Sequence, residues 1–414
     1  MRYNLAFGYY FMFLLFHINK TWPLKPLSSR ARLLGIQQRL LSRSEYSSTT
    51  LSSSTMKNNN KVVQAKIVTT DRISECGARL RKGELVAFPT ETVYGLGAHA
   101  LDSNAIPKVF KAKERPLSDP LIVHVLEAKD ALELWKEDTN PVLLCLTKSF
   151  WPGPLTIVAK ANSHVPEILM ANTGFVACRS PSHTIARELL RNAQVPIVGP
   201  SANKFGHVSP TRAEHVFDDL QYEDVWILES KEICDIGVES TVAKVTDDMN
   251  VIILRQGAVA AIDIQSCLHN AGLTDCVVTL KSQTVVPDHV ATVAPGQMLR
   301  HYSPNIPSYI VSASLATADL TSELRSKLQR AVVIDYGSQL AHWQESSLKY
   351  KDLSPNNTPG DATQAVFDTL RWAEQVQNAE FILFPSIEGS DALLLALKDR
   401  LTRAASGIQI DNLV

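Results

Sequence analysis

Short apolar runs, each stopped by proline, glycine or charge, alternate with amphipathic stretches through most of this chain, and that alternation confines it to an α/β fold. Leu85-Val86-Ala87-Phe88 reads as a buried strand broken by Pro89, and residues 73–81 as a helix that ends near Gly83. A helix over 105–113 stops at Arg115-Pro116. Strand-like runs follow at 121–125, 155–159, 176–179, 195–198, 225–228, 240–245 and 251–254. Helical patterns lie between some of them, at 128–134, 140–149, 184–192 and 212–219. Together these delimit a mixed α/β domain over 65–265. Residues 281–306 have little periodicity and read as a linker. In 307–414, strands at 308–311, 331–335 and 381–384 alternate with helices at 319–329, 361–376 and 392–405. That predicts a small, parallel, Rossmann-like sheet. No G-x-G-x-x-G follows its first strand, so no dinucleotide is expected there.

Charge separates the first 55 residues from the rest. They hold seven of the 41 Lys/Arg and, in Glu45, one of the 42 Asp/Glu. The remainder then has 34 bases against 41 acids, a net charge of −7. A body this acidic is a poor platform for a phosphate backbone, so direct tRNA binding is expected to be weak or absent. Arginines and serines with hardly an acid are the composition of a mitochondrial transit peptide. Cytosolic protein begun at Met56 and a mitochondrial fraction begun at Met1 are the expectation. The apolar run 5–18 is short of the roughly 20 residues that a membrane span needs, and no membrane attachment is expected. The six cysteines have no C-x-x-C spacing, which suits free thiols in a reducing compartment and no structural zinc.

Several groupings could carry chemistry. Phe88-Pro-Thr-Glu-Thr-Val-Tyr-Gly-Leu-Gly97 takes two hydroxyls and a carboxylate from a strand end into a Gly-rich turn, where α/β proteins bind ligands. Taken alone, Gly95 and Gly97 fit an ordinary tight turn better than a ligand site. Lys113 and Arg115 stand where a helix stops at proline; a fixed cation pair suits a triphosphate, and a solvated charge run is the plain alternative. His124 lies inside an apolar strand, as structural histidines also do. Arg179 ends another strand and must find an anion or water. Ser201, Asn203 and Ser209 offer donors in a Ser/Pro-rich loop without Walker spacing. Ser240 in Gly237-Val-Glu-Ser-Thr-Val242 and Arg255 in Leu254-Arg-Gln-Gly257 add another hydroxyl and another strand-end arginine. Hydroxyls, arginines and one lysine suit a reaction whose nucleophile comes from the substrate, with the protein supplying position and charge.

Taken in order, these pieces resemble the YrdC family of threonylcarbamoyl-AMP synthases in its long, two-domain, fungal-like form. The matching motifs are P-T-E-T-V-Y-G-L-G at 89–97, K-x-R-P at 113–116, D-P-L-I-V-H at 119–124, W-P-G-P-L-T at 151–156, R-x-P-x-H at 179–183, P-S-A-N at 200–203, S-P-T at 209–211, G-x-E-S-T-V at 237–242 and L-R-x-G at 254–257. A-P-G-Q-M-L-R-H-Y-S-P at 294–304 resembles that form's linker, and D-R-L-T-R-A-A at 399–405 its C-terminal domain. The resemblance implies a twisted mixed sheet around a concave cavity, plus the smaller Rossmann-like domain. It implies a nucleotidyltransferase that makes threonylcarbamoyl-AMP from L-threonine, bicarbonate and ATP, for hand-off to a tRNA threonylcarbamoyl transferase. Thr92, His124, Arg179 and Ser240 fall where the family holds L-threonine. Lys113, Arg115, Asp119, Ser201, Asn203, Ser209, Arg255 and Tyr302 fall where it holds ATP, with Lys113 and Arg115 neutralising phosphate charge in catalysis. Mg2+ would arrive on ATP rather than in a protein cage. The protein would work as a monomer or dimer. Three positions depart from the pattern: Phe175 for a usual threonine, Gln256 for a usual proline and Gly199 for a usual alanine. Two other readings are weighed against this one. A double-stranded RNA-binding module conflicts with the acidic body, and a carbamoyl-phosphate-using maturation enzyme would carry cysteine-rich zinc modules.

Overall fold

Leu85–Phe88 forms a fully buried strand, and its alternating side chains feed two different cores. Leu85 and Ala87 face one side of the sheet, Val86 and Phe88 the other, as the period of two requires. The computed structural model describes residues 62–232, 234–281, 292–295 and 302–413. The segment 1–55, expected to be a targeting segment, and most of the linker lie outside them.

Among the described residues the first sheet has eleven strands: β1 (Lys66–Val68), β2 (Leu85–Phe88), β3 (Gly95–His99), β4 (Ile122–His124), β5 (Leu155–Lys160), β6 (Phe175–Arg179), β7 (Ile197–Val198), β8 (Val225–Leu228), β9 (Thr241–Val245), β10 (Val251–Arg255) and β11 (Val278–Leu280). Their order is β1-β8-β2-β3-β7-β4-β6-β5-β9-β10-β11, with parallel and antiparallel neighbours mixed. Helices cover both faces. Ile73–Arg81 and Thr184–Ala193 pack over Val86, Phe88 and Ile197; Ile106–Lys113, Pro141–Phe150 and Ala261–Asn270 pack over Ala87, Leu96 and Ile157. Gly77 lets the first pair approach, since a Cβ there would lie 2.7 Å from the Asn192 backbone.

The expected Gly-rich turn at Gly95 and Gly97 is instead strand β3. It runs antiparallel to β2, with Phe88 opposite Gly95 and Val86 opposite Gly97. The glycines serve close packing rather than a turn: a Cβ on Gly97 would sit 2.8 Å from the Val86 carbonyl oxygen, and one on Gly95 3.2 Å from the Phe88 ring. The chain reverses earlier, through 89–94.

The second sheet is wholly parallel, in the order β14-β13-β15-β12-β16: β12 (Ser308–Val311), β13 (Ala331–Asp335), β14 (Lys349–Asp352), β15 (Phe381–Phe384) and β16 (Gln409–Ile410). Edge strands β14 and β16 escape sequence reading because one is charged and the other has two residues. Helices Pro359–Glu374 and Ala392–Ala404 cover one face, and Ser322–Leu328 the other.

Three loops of the first domain reach this second core. Val93, Val208 and Val238 are buried in one cluster with Val366, Phe367, Leu370 and Tyr302. Gly237 (φ 74°) permits the contact, as a Cβ there would collide with the backbone of Thr363 and Gln364. Buried charge reinforces it. Arg371 pairs with Asp219 at 3.1 Å, and His207 lies between Asp219 at 2.9 Å and Glu374 at 3.0 Å. Burial opposes charge on His207, but its bonds to Asp219 and Glu374 outweigh that and Arg371, pushing its pKa up to about 9. A raised folded-state pKa stabilises fully below the unfolded value of about 6.5 and is lost as pH rises through 9. On the order of 3 kcal/mol rides on this titration. Thermal unfolding from pH 6.5 to 9.5 is therefore expected to show a decline in the parent that His207→Gln largely lacks; equal declines would remove the role from His207.

Candidate active site

Strand ends deliver the polar residues to one place. His124 closes β4 and Arg179 closes β6, and the two are register partners in a parallel pair. Arg255 closes β10, Ser240 precedes β9, Ser201 follows β7, and Thr90 and Thr92 occupy the β2–β3 connection. With Arg115, Glu239, Pro295 and Tyr302 they line one cleft, partly open to solvent. Arg115, Arg179 and Arg255 face a single carboxylate among the described lining residues, Glu239, so the cleft favours anions.

Arg179 is fixed on three sides. It donates to Thr92 Oγ1 at 2.8 Å and to the Gly153 carbonyl at 3.2 Å, and pairs with Glu91 at 2.8 Å. Burial pushes the Glu91 carboxyl up, but Arg179 and the Ser182 N–H more than offset it, and its pKa falls below the ordinary value. Thr92 shares a hydrogen bond with Thr90 at 2.8 Å. His124 is buried beside them. Burial, then the Arg179 charge, bring its pKa down to about 3, so the ring is neutral at physiological pH. Its Nδ1 is buried with no hydrogen-bond partner among the described residues. Gly199 has a physical reason here: a Cβ would stand 2.7 Å from the His124 ring.

On the same lining Arg255 donates to the Ser240 carbonyl at 3.1 Å and to its Oγ at 3.2 Å, tying a residue expected at the threonine to one expected at the ATP. Ser240 Oγ also shares a hydrogen bond with Thr156 at 2.7 Å. Arg115 is held by the Asp119 and Pro120 carbonyls at 3.0 and 2.7 Å and pairs with the Asp119 carboxylate at 2.9 Å. Tyr302 packs its ring against Phe367, centroids 5.4 Å apart, and brings the second domain to the cleft wall.

Four expected residues lie behind the wall rather than on it. Lys113 Nζ donates to the carbonyls of Ser201 and Asn203 at 2.5 and 2.6 Å, and so sets the turn that carries Ser201. Burial, then nearby Arg115, push its pKa well below the lysine range. Asn203 donates to the Lys204 and His207 carbonyls. Ser209 donates to Glu239 at 2.6 Å, and Asp119 is engaged by Arg115. Phe175 stands away from the cleft lining, under the Lys244 ammonium at 3.6 Å. Gln256 offers its carbonyl to Arg400 at 2.7 Å, an acceptor that proline would also supply.

Two residues were not singled out from sequence. Glu239 sat inside a quoted motif whose hydroxyls drew attention. Arg400 left a readable signal: with Leu397, Leu401 and Ala404 it occupies the apolar stripe of a helix, where an unpaired charge would not be tolerated.

Residues 78–257 match the family described as telomere recombination, and residues 259–406 the family described as threonylcarbamoyl-AMP synthase, C-terminal domain. A threonylcarbamoyl-AMP synthase of Pyrococcus abyssi is 34% identical over 350 residues, covering 82% of this chain and 97% of that one. The Bacillus subtilis enzyme is 33% identical, covering 81% and 93%; that of Schizosaccharomyces pombe is 33% identical, covering 78% and 85%. The P. abyssi protein crystallised with L-threonine matches with a TM-score of 0.70 at 31% identity, over 84% of this chain and 99% of that one. Archaeal, bacterial and fungal relatives stand at nearly equal identity, so the expected fungal likeness gains no support. Both domains, in the same order, are shared with relatives over most of their length, and the chain belongs to the two-domain threonylcarbamoyl-AMP synthase family.

Proposed function

We propose that this chain joins L-threonine, bicarbonate and ATP into threonylcarbamoyl-AMP and pyrophosphate. The observation that carries the reading is Arg179, locked by Glu91 and Thr92 beside a neutral histidine, in a cleft with two further arginines. That grouping suits an amino acid: Arg179 takes the α-carboxylate, and the hydroxyls and His124 address the amine and side-chain hydroxyl. A relative's crystal structure with L-threonine supports the choice. The threonine amine takes up CO2 from bicarbonate, giving a carbamate and water. A carbamate oxygen then attacks the α-phosphorus of ATP, and pyrophosphate leaves with the electron pair of the broken P–O bond. Arg115 and Arg255 offset charge on the phosphates, and Lys113, Asp119, Ser201, Asn203 and Ser209 shape the wall around them.

Mg2+ enters on ATP as part of the substrate. The carboxylates nearby are already engaged: Glu239 by Ser209 and Arg400, Asp119 by Arg115, and Glu91 by Arg179. The product passes to a separate tRNA threonylcarbamoyl transferase, and the acidic body does not hold tRNA itself. The working compartments are the cytosol and, through residues 1–55, mitochondria; a reporter fused to that segment and found only in the cytosol would remove the second.

Serine should be used less well than threonine by roughly 10–200-fold, since one methyl in a pocket is worth about 1–3 kcal/mol. Valine should be worse still, because it leaves hydroxyl partners unpaired. Steady-state rates with the three amino acids decide this, and equal turnover of threonine and valine would rule out the pocket described. For the reaction itself, carbon-labelled bicarbonate with threonine and Mg-ATP should yield a labelled adenylate with the mass of threonylcarbamoyl-AMP. Unlabelled AMP or ADP as the sole nucleotide product would contradict it.

A further inference from the structure

Arg400, from the second domain, is a charged side chain behind the cleft with no exposed surface. Its helix, Ala392–Ala404, carries it behind the wall that Glu239 and Ser240 form. Nε donates to the Glu239 carboxylate at 3.1 Å, one terminal nitrogen to the Glu239 carbonyl at 3.4 Å, and the other to the Gln256 carbonyl at 2.7 Å and Asp399 at 3.2 Å. The guanidinium also stands 5.6 Å from the centre of the Tyr302 ring. The opposite oxygen of Glu239 accepts from Ser209 at 2.6 Å.

This arrangement poses a charge problem. Glu239 is the acidic side chain in the lining of a cleft otherwise built for anions. A carboxylate held close to a bound polyphosphate repels it, and partial desolvation strengthens the repulsion. We propose that Arg400 is a positioning residue for the nucleotide: it neutralises Glu239 from behind and fixes the Arg255–Gln256 segment, so that the second domain makes the cleft wall compatible with the phosphates of ATP. This rests on the reading of the cleft given above. The carboxylate in turn holds Ser209, and the carbonyl of Gln256 anchors the residue next to Arg255. The C-terminal domain thus contributes charge compensation as well as a cover.

Binding of Mg2+ with a non-hydrolysable ATP analogue, measured by calorimetry, tests the idea without requiring turnover, alongside KM values for ATP and threonine. Arg400→Gln should weaken nucleotide binding by about 10–100-fold through the exposed repulsion, with threonine KM within about threefold. Glu239→Gln removes the repulsion and leaves Arg400 uncompensated, so alone it should bind the analogue at least as tightly as the parent. The double variant, a neutral pair, should return to about the parent's level. Arg400→Lys, which keeps the charge and loses the fork, should fall between parent and Arg400→Gln. A merely structural Arg400 would affect both substrates alike, and Glu239→Gln would then restore stability without restoring nucleotide binding; either result overturns the proposal. Should Arg400→Gln fail to fold, the neutral pair decides: nucleotide binding near the parent's supports the proposal, and weak binding by a folded double variant sinks it. A parent that binds the analogue poorly while forming labelled adenylate would also refute it; a parent that does neither would take the functional reading down as well.

Discussion

An Arg179→Ala chain should lose L-threonine binding by about a hundredfold or more, while Mg-ATP affinity stays within about threefold. The side chain is almost wholly buried, and three partners fix its direction. The same substitution also strips Glu91 of its partner. A buried carboxylate left alone costs about 3–5 kcal/mol, so the variant should unfold at a lower temperature as well. Arg179→Ala combined with Glu91→Gln separates the two losses. The orphaned charge is gone, so stability should recover; threonine binding should not. Recovery of both in calorimetry and thermal unfolding would reduce Arg179 to a structural role.

The second large effect is expected on ending the chain at Lys281. Val93, Val208 and Val238 would lose the apolar surface of Val366, Phe367 and Leu370. Asp219 would lose Arg371, Glu239 would lose Arg400, and Tyr302 would vanish from the cleft. The first domain keeps its two cores on either side of the sheet, so circular dichroism should still report a folded, less stable protein. Activity should fall by about a hundredfold or more, since a cover completes a site and sheds water from it. Threonine binding, built from β2, β4 and β6, should survive better than nucleotide binding. A truncated chain with full activity would show that the second domain has no part in the reaction.

How much of this was legible in sequence depended on how local the cause was. Strands such as Leu85–Phe88, Ala331–Asp335 and Phe381–Phe384 announce themselves because burial on both faces demands an unbroken apolar run. Gly95 and Gly97 misled because a glycine needed for close packing reads the same as one needed for a turn. Arg179 and Arg255 read as strand-end arginines that must meet an anion or water, whereas His124 reads as lying inside its strand and joins the candidate site only through the resemblance. Lys113 and Ser209 were placed among the ligand contacts, yet each is spent on a neighbour: one on two carbonyls, the other on Glu239. Sequence shows the donor and conceals the acceptor. The pairing of Arg400 with Glu239 spans 161 residues and two domains, and no local pattern encodes it.

The central claim is that one cleft commits threonine, bicarbonate and ATP to a single reaction. Pyrophosphate release tests it most directly, measured with all three present and with each left out in turn. Release that depends on every one of the three is the predicted result. Pyrophosphate formed at an undiminished rate without threonine or without bicarbonate, or none formed from the complete mixture, would contradict it.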